Sequence, residues 1–343
     1  MKVRIVCYED VNGWILGKFA LKLREELLLL SLDAEIVCTP DPAADINHHI
    51  IYIDFDGKRT TRDTVMVTHI DADWKFRKLK QQTEQGAVGI CMSSDTMRKL
   101  VSAGISKERL CYVNPAHDGI IAPRPFTIGI TTRIYPDGRK REFLLTHLAG
   151  RLDPGDFAFR IMGEGWEDVV EELTRRGFSV QYSALFDRDA YQRMIPALDY
   201  YLYLGCDEGS MGFVDALAAG VPTIATPQGF HVDAAGGLVH PFETEDDLYS
   251  VFTRIAAQRH LLTDSVARWT WQDYARKHAE IWHYLLTGEL PQEFLYTDGV
   301  ASLVDGRNPA CSVTERLSSR LGFVAGSIRA LKASLRTRPP GTR

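Results

Sequence analysis

LDYYLYLGCDEGSMGFVDALAAGVPTIATPQ, residues Leu198 to Gln228, changes pattern several times within one short span. An apolar run from Tyr200 to Leu204 gives way to an acidic, Gly-rich turn from Gly205 to Gly212. A helical apolar pattern then runs through Phe213, Ala216, Leu217 and Ala219 until Gly220 and Pro222 stop it. The β-branched run Thr223-Ile224-Ala225-Thr226 follows. The order is strand, loop, helix, strand. In such a unit the loop and the helix N-terminus face one crevice, where backbone N–H groups and the helix dipole favour a phosphate. Asp207, Glu208 and Asp215 belong to the same crevice. Carboxylates repel phosphate but accept hydrogen bonds from sugar hydroxyls.

Composition sets the bounds around this unit. A chain of 343 residues holds two α/β domains of ordinary size. Its 45% apolar and 25% charged residues are those of a globular protein, and a formal net charge of −5 argues against nucleic acid as a partner of the whole chain. No stretch has the unbroken apolar length of a membrane span, and MKVRIVCYED reads as a charged strand rather than a signal peptide, so a cytoplasmic location is expected. The six cysteines form no Cys-x-x-Cys pair, which indicates neither a zinc site nor a disulfide framework.

The rest of the chain repeats the α/β alternation. Lys2 to Tyr8 is a strand, Asp10 to Gly13 a turn and Ile15 to Leu30 an amphipathic helix, the opening of a Rossmann-like domain without a full Gly-x-Gly-x-x-Gly. Further strands are expected at Ala34 to Cys38, His49 to Ile53 and Thr64 to Thr68. The last ends beside His69, on the side where α/β proteins place ligands. Asp54/Asp56 and Asp71/Asp73 are Asp-x-Asp pairs of a kind that can hold a divalent ion, but such pairs are common in turns and no metal is expected. Asn114 to Gly119, with Pro123 and Pro125, reads as a linker. The second half opens with a strand at Phe126 to Thr131, followed by Arg133, Arg139 and Lys140. Strand, Gly turn and helix recur through Gly163-Glu164-Gly165 to Arg176.

These features resemble the retaining glycosyltransferases of the two-Rossmann (GT-B) fold, especially glycosyltransferase family 4. The resemblance rests on Asp215-Ala216-Leu217-Ala218-Ala219-Gly220-Val221-Pro222, on the acids before it, on Arg133 with a following base, and on the Gly163 turn. It covers residues 1 to 286, most strongly Phe126 to Pro222. It implies an α/β fold of two Rossmann-like domains facing a cleft, with a C-terminal helical tail. The domains would be an acceptor domain at 1–122, a nucleotide-sugar donor domain at 123–270, a crossover helix at 271–287 and a tail at 288–343. It implies transfer of a sugar from a nucleoside-diphosphate sugar to a hydroxyl of a glycan or lipid-linked acceptor, with no cofactor and no metal. Arg133 and Lys140, or Arg139 in its place, would bind the diphosphate, helped by backbone N–H groups near Gly212. Asp215 would hold the ribose. Glu208 would hold the donor sugar, with Asp207 as the alternative set by the seven-residue spacing to Asp215. Gly13 and His69 would come from the first domain. An epimerase or hydrolase of the same fold, or a non-catalytic nucleotide-sugar-binding partner protein, are the rival readings.

The C-terminal segment reverses the charge of the chain. Leu317, Leu321, Val324, Ile328, Leu331 and Leu335 share one helical face, interleaved with Arg316, Arg320, Arg329, Lys332 and Arg336, and Glu315 is the only acid after Cys311. A basic amphipathic helix over residues 313–343 suits an anionic membrane surface, in keeping with surface-polysaccharide or glycolipid synthesis at the inner face of the cell membrane.

Overall fold

The computed structural model describes residues 1–58, 62–289 and 303. The chain divides into two compact units, one of Met1–Gly119 with the chain from Arg268, the other of Ile120–Ala267. Among the described residues no helix is long and apolar enough to cross a membrane. The basic stretch at 313–343 lies outside the described residues.

The first unit is built from β1 (Lys2–Val6), α1 (Ile15–Leu29), β2 (Asp33–Val37), β3 (Ile46–His49), β4 (Asp63–Val67), α2 (Asp73–Glu84), β5 (Val88–Cys91), α3 (Ser94–Ser102) and β6 (Leu110–Tyr112). All its strand pairs are parallel, in the order β2-β1-β3-β4-β5-β6. The third strand starts three residues earlier than its apolar signal at His49 to Ile53, because the polar side chains of Asn47, His48 and His49 are buried and partnered. His48 meets the Thr64 hydroxyl at 2.9 Å, and His49 meets Asp63 at 3.1 Å and the Tyr8 hydroxyl at 3.0 Å. Buried polar groups are tolerated where hydrogen bonds replace water.

The second unit contains β7 (Phe126–Ile130), α4 (Phe143–Ala149), β8 (Phe157–Met162), α5 (Glu167–Arg175), β9 (Ser179–Ser183), α6 (Arg188–Met194), β10 (Tyr200–Tyr203), α7 (Met211–Ala218), β11 (Thr223–Ala225), β12 (His240–Pro241) and α8 (Glu245–Ser265). Its parallel sheet runs β12-β11-β10-β7-β8-β9. Read from its first strand outward, this is the doubly wound order, and the direction in which strands are added reverses between β7 and β10. Ligands of such sheets bind beyond the carboxyl ends of the strands at that reversal. The two units are therefore both Rossmann-like, as the resemblance implies.

The last described helix, α9 (Trp271–Thr287), returns to the first unit. Trp271 packs edge-on against Phe19 of α1 at 5.2 Å between ring centres, and Trp282 is fully buried with its indole N–H donated to Thr64. Burying an aromatic of this size contributes several kcal/mol. Trp282→Ala is therefore expected to destabilise the first unit by about 3–5 kcal/mol. Hydrogen exchange should quicken across β1, β3 and β4 while β7 and β8 keep their protection.

Candidate functional site

A cavity of about 490 Å³ opens where β7 and β10 end, within the range of small-molecule sites. Thr131, Thr132 and Arg133 come from the segment after β7, Gly163 and Glu164 from the turn after β8, Leu185 and Phe186 from the segment after β9, and Ser210 to Gly212 with Asp215 from α7 and its entry. Consecutive parallel strands thus deliver consecutive walls of one space. The approach is close. A Cβ on Gly163, whose φ is +142°, would lie 2.1 Å from the Thr132 carbonyl oxygen, and one on Gly212 would lie 2.1 Å from the Thr131 hydroxyl. Glycine alone lets the Gly163 backbone meet that carbonyl and the Gly212 backbone meet that hydroxyl. The Trp166 indole N–H, donated to the same Thr132 carbonyl at 2.6 Å, pins the loop.

The N-terminus of α7 is held by a chain of hydroxyls. Ser210 caps the helix by accepting the Gly212 N–H, and its hydroxyl meets that of Tyr201 at 2.8 Å, which meets that of Thr131 at 2.9 Å. Beneath the loop lies His231, fully buried and stacked on Phe213 at 4.1 Å. Burial pushes its pKa down, with only partial opposition from its bond to the Thr226 carbonyl, so the ring is neutral at pH 7. With Nδ1–H donated to that carbonyl, Nε2 accepts the backbone N–H of Ser210 at 3.1 Å. The sequence gives no motif for this role; only a His a few residues past the strand after the Gly-rich loop could have pointed to it.

Of the residues singled out from sequence, Arg133, Gly212 and Asp215 line the cavity. Arg133 forms an ion pair with Glu164, both side chains being about half exposed. Asp215 accepts a hydrogen bond from the Tyr191 hydroxyl at 2.5 Å. Lys140 and Asp207 form a second, more buried group beside the cavity. The Lys140 ammonium donates to Asp207 at 2.7 Å and to the Tyr203 hydroxyl at 2.8 Å, and Tyr203 in turn donates to Asp207. Arg139 lies outside this pair, 3.9 Å from the ring centre of Tyr135 and 3.9 Å from Asp207. Glu208 is exposed, and among the described residues no side chain bonds its carboxylate.

Gly13 and His69 belong to the other unit. Gly13 closes a turn onto the Asp10 carbonyl, and His69 is exposed beside Lys75 at 3.3 Å and Asp71 at 3.6 Å. The strand order of that unit reverses between β1 and β3, where Tyr8, His49 and Asp63 form a hydrogen-bonded chain that the sequence did not announce. Among the described residues no three His, Cys, Asp or Glu side chains come together as a metal-binding group.

No family model matches the chain, and no curated protein matches it. Solved structures do. The lipopolysaccharide outer core galactosyltransferase WaaB is 14% identical, with 82% of this chain and 98% of that chain covered and a TM-score of 0.34. WaaG, a glycosyltransferase of lipopolysaccharide biosynthesis, is 11% identical over 88% and 98% of the two chains, TM-score 0.34. A glycosyltransferase from Rickettsia africae is 12% identical over 84% and 99%, TM-score 0.34. Likenesses at this level carry no functional inference.

The Lys140–Asp207 pair generates a pH dependence. Burial works against the charge on Asp207, but hydrogen bonds from Lys140 and Tyr203 outweigh it and hold the carboxyl below the usual range. A depressed carboxylate pKa adds stability above the unfolded-state value, ~4, and loses it as pH falls through the folded-state value. Asp207→Asn is expected to lower stability by about 1.5–3 kcal/mol at pH 7, the size of a hydrogen bond to a charged group. The gap from the native protein should close as denaturation is measured at falling pH below ~4.

Proposed function

We propose that this protein is a glycosyltransferase that moves a sugar, with retention at the anomeric carbon, from a nucleoside-diphosphate sugar to a hydroxyl acceptor. The observation that carries the reading is the convergence on one cavity of Arg133, the α7 N-terminus, the Asp215 carboxylate and the aromatic face of Phe186. Each matches a different part of the donor. Arg133 and the helix end suit the diphosphate, Asp215 the ribose hydroxyls, and Phe186 with Leu185 the base. As the bond to the sugar breaks, negative charge gathers on the departing diphosphate, and fixed cations lower that barrier. Arg133 would supply one. Lys140 would supply the other, held in place by Asp207. In this account no metal is required, because cations and a helix end offset the charge.

For the acid facing the donor sugar we infer Asp207 rather than Glu208. Seven residues separate it from Asp215, and it is the carboxylate that meets the second base. Gly13 and His69, both on the first unit, are proposed to serve the acceptor. A second reading, a non-catalytic nucleotide-sugar-binding partner protein, draws on the engagement of both bases by carboxylates within the chain.

The test is a panel of nucleoside diphosphates and their sugars, with nucleotide release followed in the presence and absence of glycan or lipid-linked hydroxyl acceptors. Release that requires the acceptor supports transfer. Donor binding without turnover supports the partner reading. With the active donor in hand, Arg133→Ala should lower turnover by about a hundredfold, and Asp207→Asn should be inactive where Glu208→Gln is not. The reverse pattern would return the role to Glu208.

The basic segment at 313–343 is proposed to hold the enzyme on an anionic membrane surface, which would favour a lipid-linked acceptor in surface-polysaccharide or glycolipid synthesis. The full chain should then sediment with anionic vesicles at low salt, and truncation after Gly306 should abolish this while sparing nucleotide binding. Equal sedimentation of both forms would sink the idea.

A further inference from the structure

A second cavity, of about 590 Å³, lies beside the first, and Phe186, Tyr191 and Asp215 line both. The hydrogen bond from the Tyr191 hydroxyl to Asp215 Oδ2, 2.5 Å long, forms part of the wall between them. Tyr191 stands on α6 and Asp215 on α7, so this bond ties two helices that no backbone ladder joins. Its ring packs on Phe186 at 5.4 Å between ring centres. One side chain therefore touches both the Phe186 ring and the Asp215 carboxylate, each of which lines the first cavity.

Asp215 by itself is poorly placed to hold a ligand. It is exposed on a helix surface, where a carboxylate samples several rotamers, and each must be frozen on binding at a cost in side-chain entropy. It is also one methylene shorter than glutamate. The Tyr191 hydroxyl fixes one of its oxygens and leaves Oδ1 to accept from a ligand. Burial first, then the bond to Asp215 and its charge, hold the phenol well above its usual pKa, so it stays protonated and donates.

We propose that Tyr191 is a positioning residue that presents Asp215 to the vicinal hydroxyls of a ribose, and that the site thereby selects ribonucleotide over deoxyribonucleotide donors. The assignment rests on the nucleotide reading of the first cavity. It predicts a selective effect, because Tyr191 acts only through the hydroxyl-binding carboxylate whereas Phe186 acts through the base.

The experiment is equilibrium binding, by calorimetry or fluorescence, of the four common ribonucleoside 5′-diphosphates, followed by the 2′-deoxy and 3′-deoxy analogues of the tightest. The native protein should prefer the ribonucleotide by about tenfold or more, the scale of a hydrogen bond to a charged group. Tyr191→Phe should cut this preference to about threefold or less, mainly by weakening the ribonucleotide. Phe186→Ala should weaken ribo and deoxy forms alike. Adding Asp215→Glu to Tyr191→Phe should restore part of the preference, since the longer acid reaches the ribose without help. Equal weakening of ribo and deoxy forms by Tyr191→Phe, or an unchanged preference, overturns the assignment while leaving nucleotide binding in place. If the native protein binds none of the diphosphates, the nucleotide reading itself fails and this assignment with it.

Discussion

The site depends on one topological constraint, the direct pairing of β10 with β7. Tyr200 lies opposite Ile128 and Tyr201 opposite Gly129, so segments some seventy positions apart in the chain leave the sheet side by side. A Cβ on Gly129 would lie 2.1 Å from Leu198 Cδ1, so a larger residue there would push the Leu198 side chain aside. Everything that follows β7, including Arg133 and Lys140, is thereby set against everything that follows β10, from Asp207 to Asp215. In a parallel sheet the carboxyl ends of all strands point the same way, and the reversal of winding leaves a gap that helices do not cover. The cavity is a consequence of strand order before it is a consequence of any side chain.

What the side chains add is rigidity. The loop from Gly205 to Ser210 carries carboxylates beside a helix N-terminus, and a mobile loop would spend part of any binding energy on being ordered. Three anchors limit that cost. His231 accepts the Ser210 N–H from below, Thr226 and Gln228 donate to the Gly205 carbonyl at 2.9 and 2.7 Å, and the Cys206 N–H donates to the Arg139 carbonyl at 2.7 Å. The last ties the acidic loop to the segment that carries Arg139 and Lys140. A neutral His231 is essential to this arrangement, because a protonated ring could not accept the Ser210 N–H.

Much of the fold was legible because both hydrophobic period and glycine punctuation are local. The Leu198 to Gln228 unit, the strand at Phe126 and the helix at Trp271 all read correctly within a residue or two. The strand at Ile46–His49 did not, since its polar side chains are buried through partners distant in sequence, and a pattern of polarity cannot reveal a partner. The same limit governs the site. Arg133, Gly212 and Asp215 were found because they lie in recognisable motifs, and they do line the cavity. Tyr191 and Phe186 sit on an ordinary-looking segment between motifs, and His231 beyond one. Their roles exist only once β9, β10 and α7 are packed. The choice between Asp207 and Glu208 illustrates the boundary: adjacent acids look alike in sequence, but one turns toward Lys140 and Tyr203 and the other to solvent.

The two cations of the site are held in different ways, and magnitude decides what each can do. Arg133 and Glu164 are 55% and 48% exposed, and a pair so well solvated is worth about 0–1 kcal/mol. Under the proposed reading, an incoming diphosphate with several acceptor oxygens would outcompete such a carboxylate, so Glu164 would not block the guanidinium. Lys140 and Asp207 are only 10% and 23% exposed, and Tyr203 bonds both. Separating them would strand a charge in a partly dehydrated place, at a cost of about 1.5–3 kcal/mol for the lost charged hydrogen bond. That pair is therefore the fixed element. If the protein acts as proposed, the pair would present a preorganised field rather than a cation that must be recruited. Under the proposed reading, the weakly paired Arg133 would turn to a charged ligand while Lys140 kept its orientation.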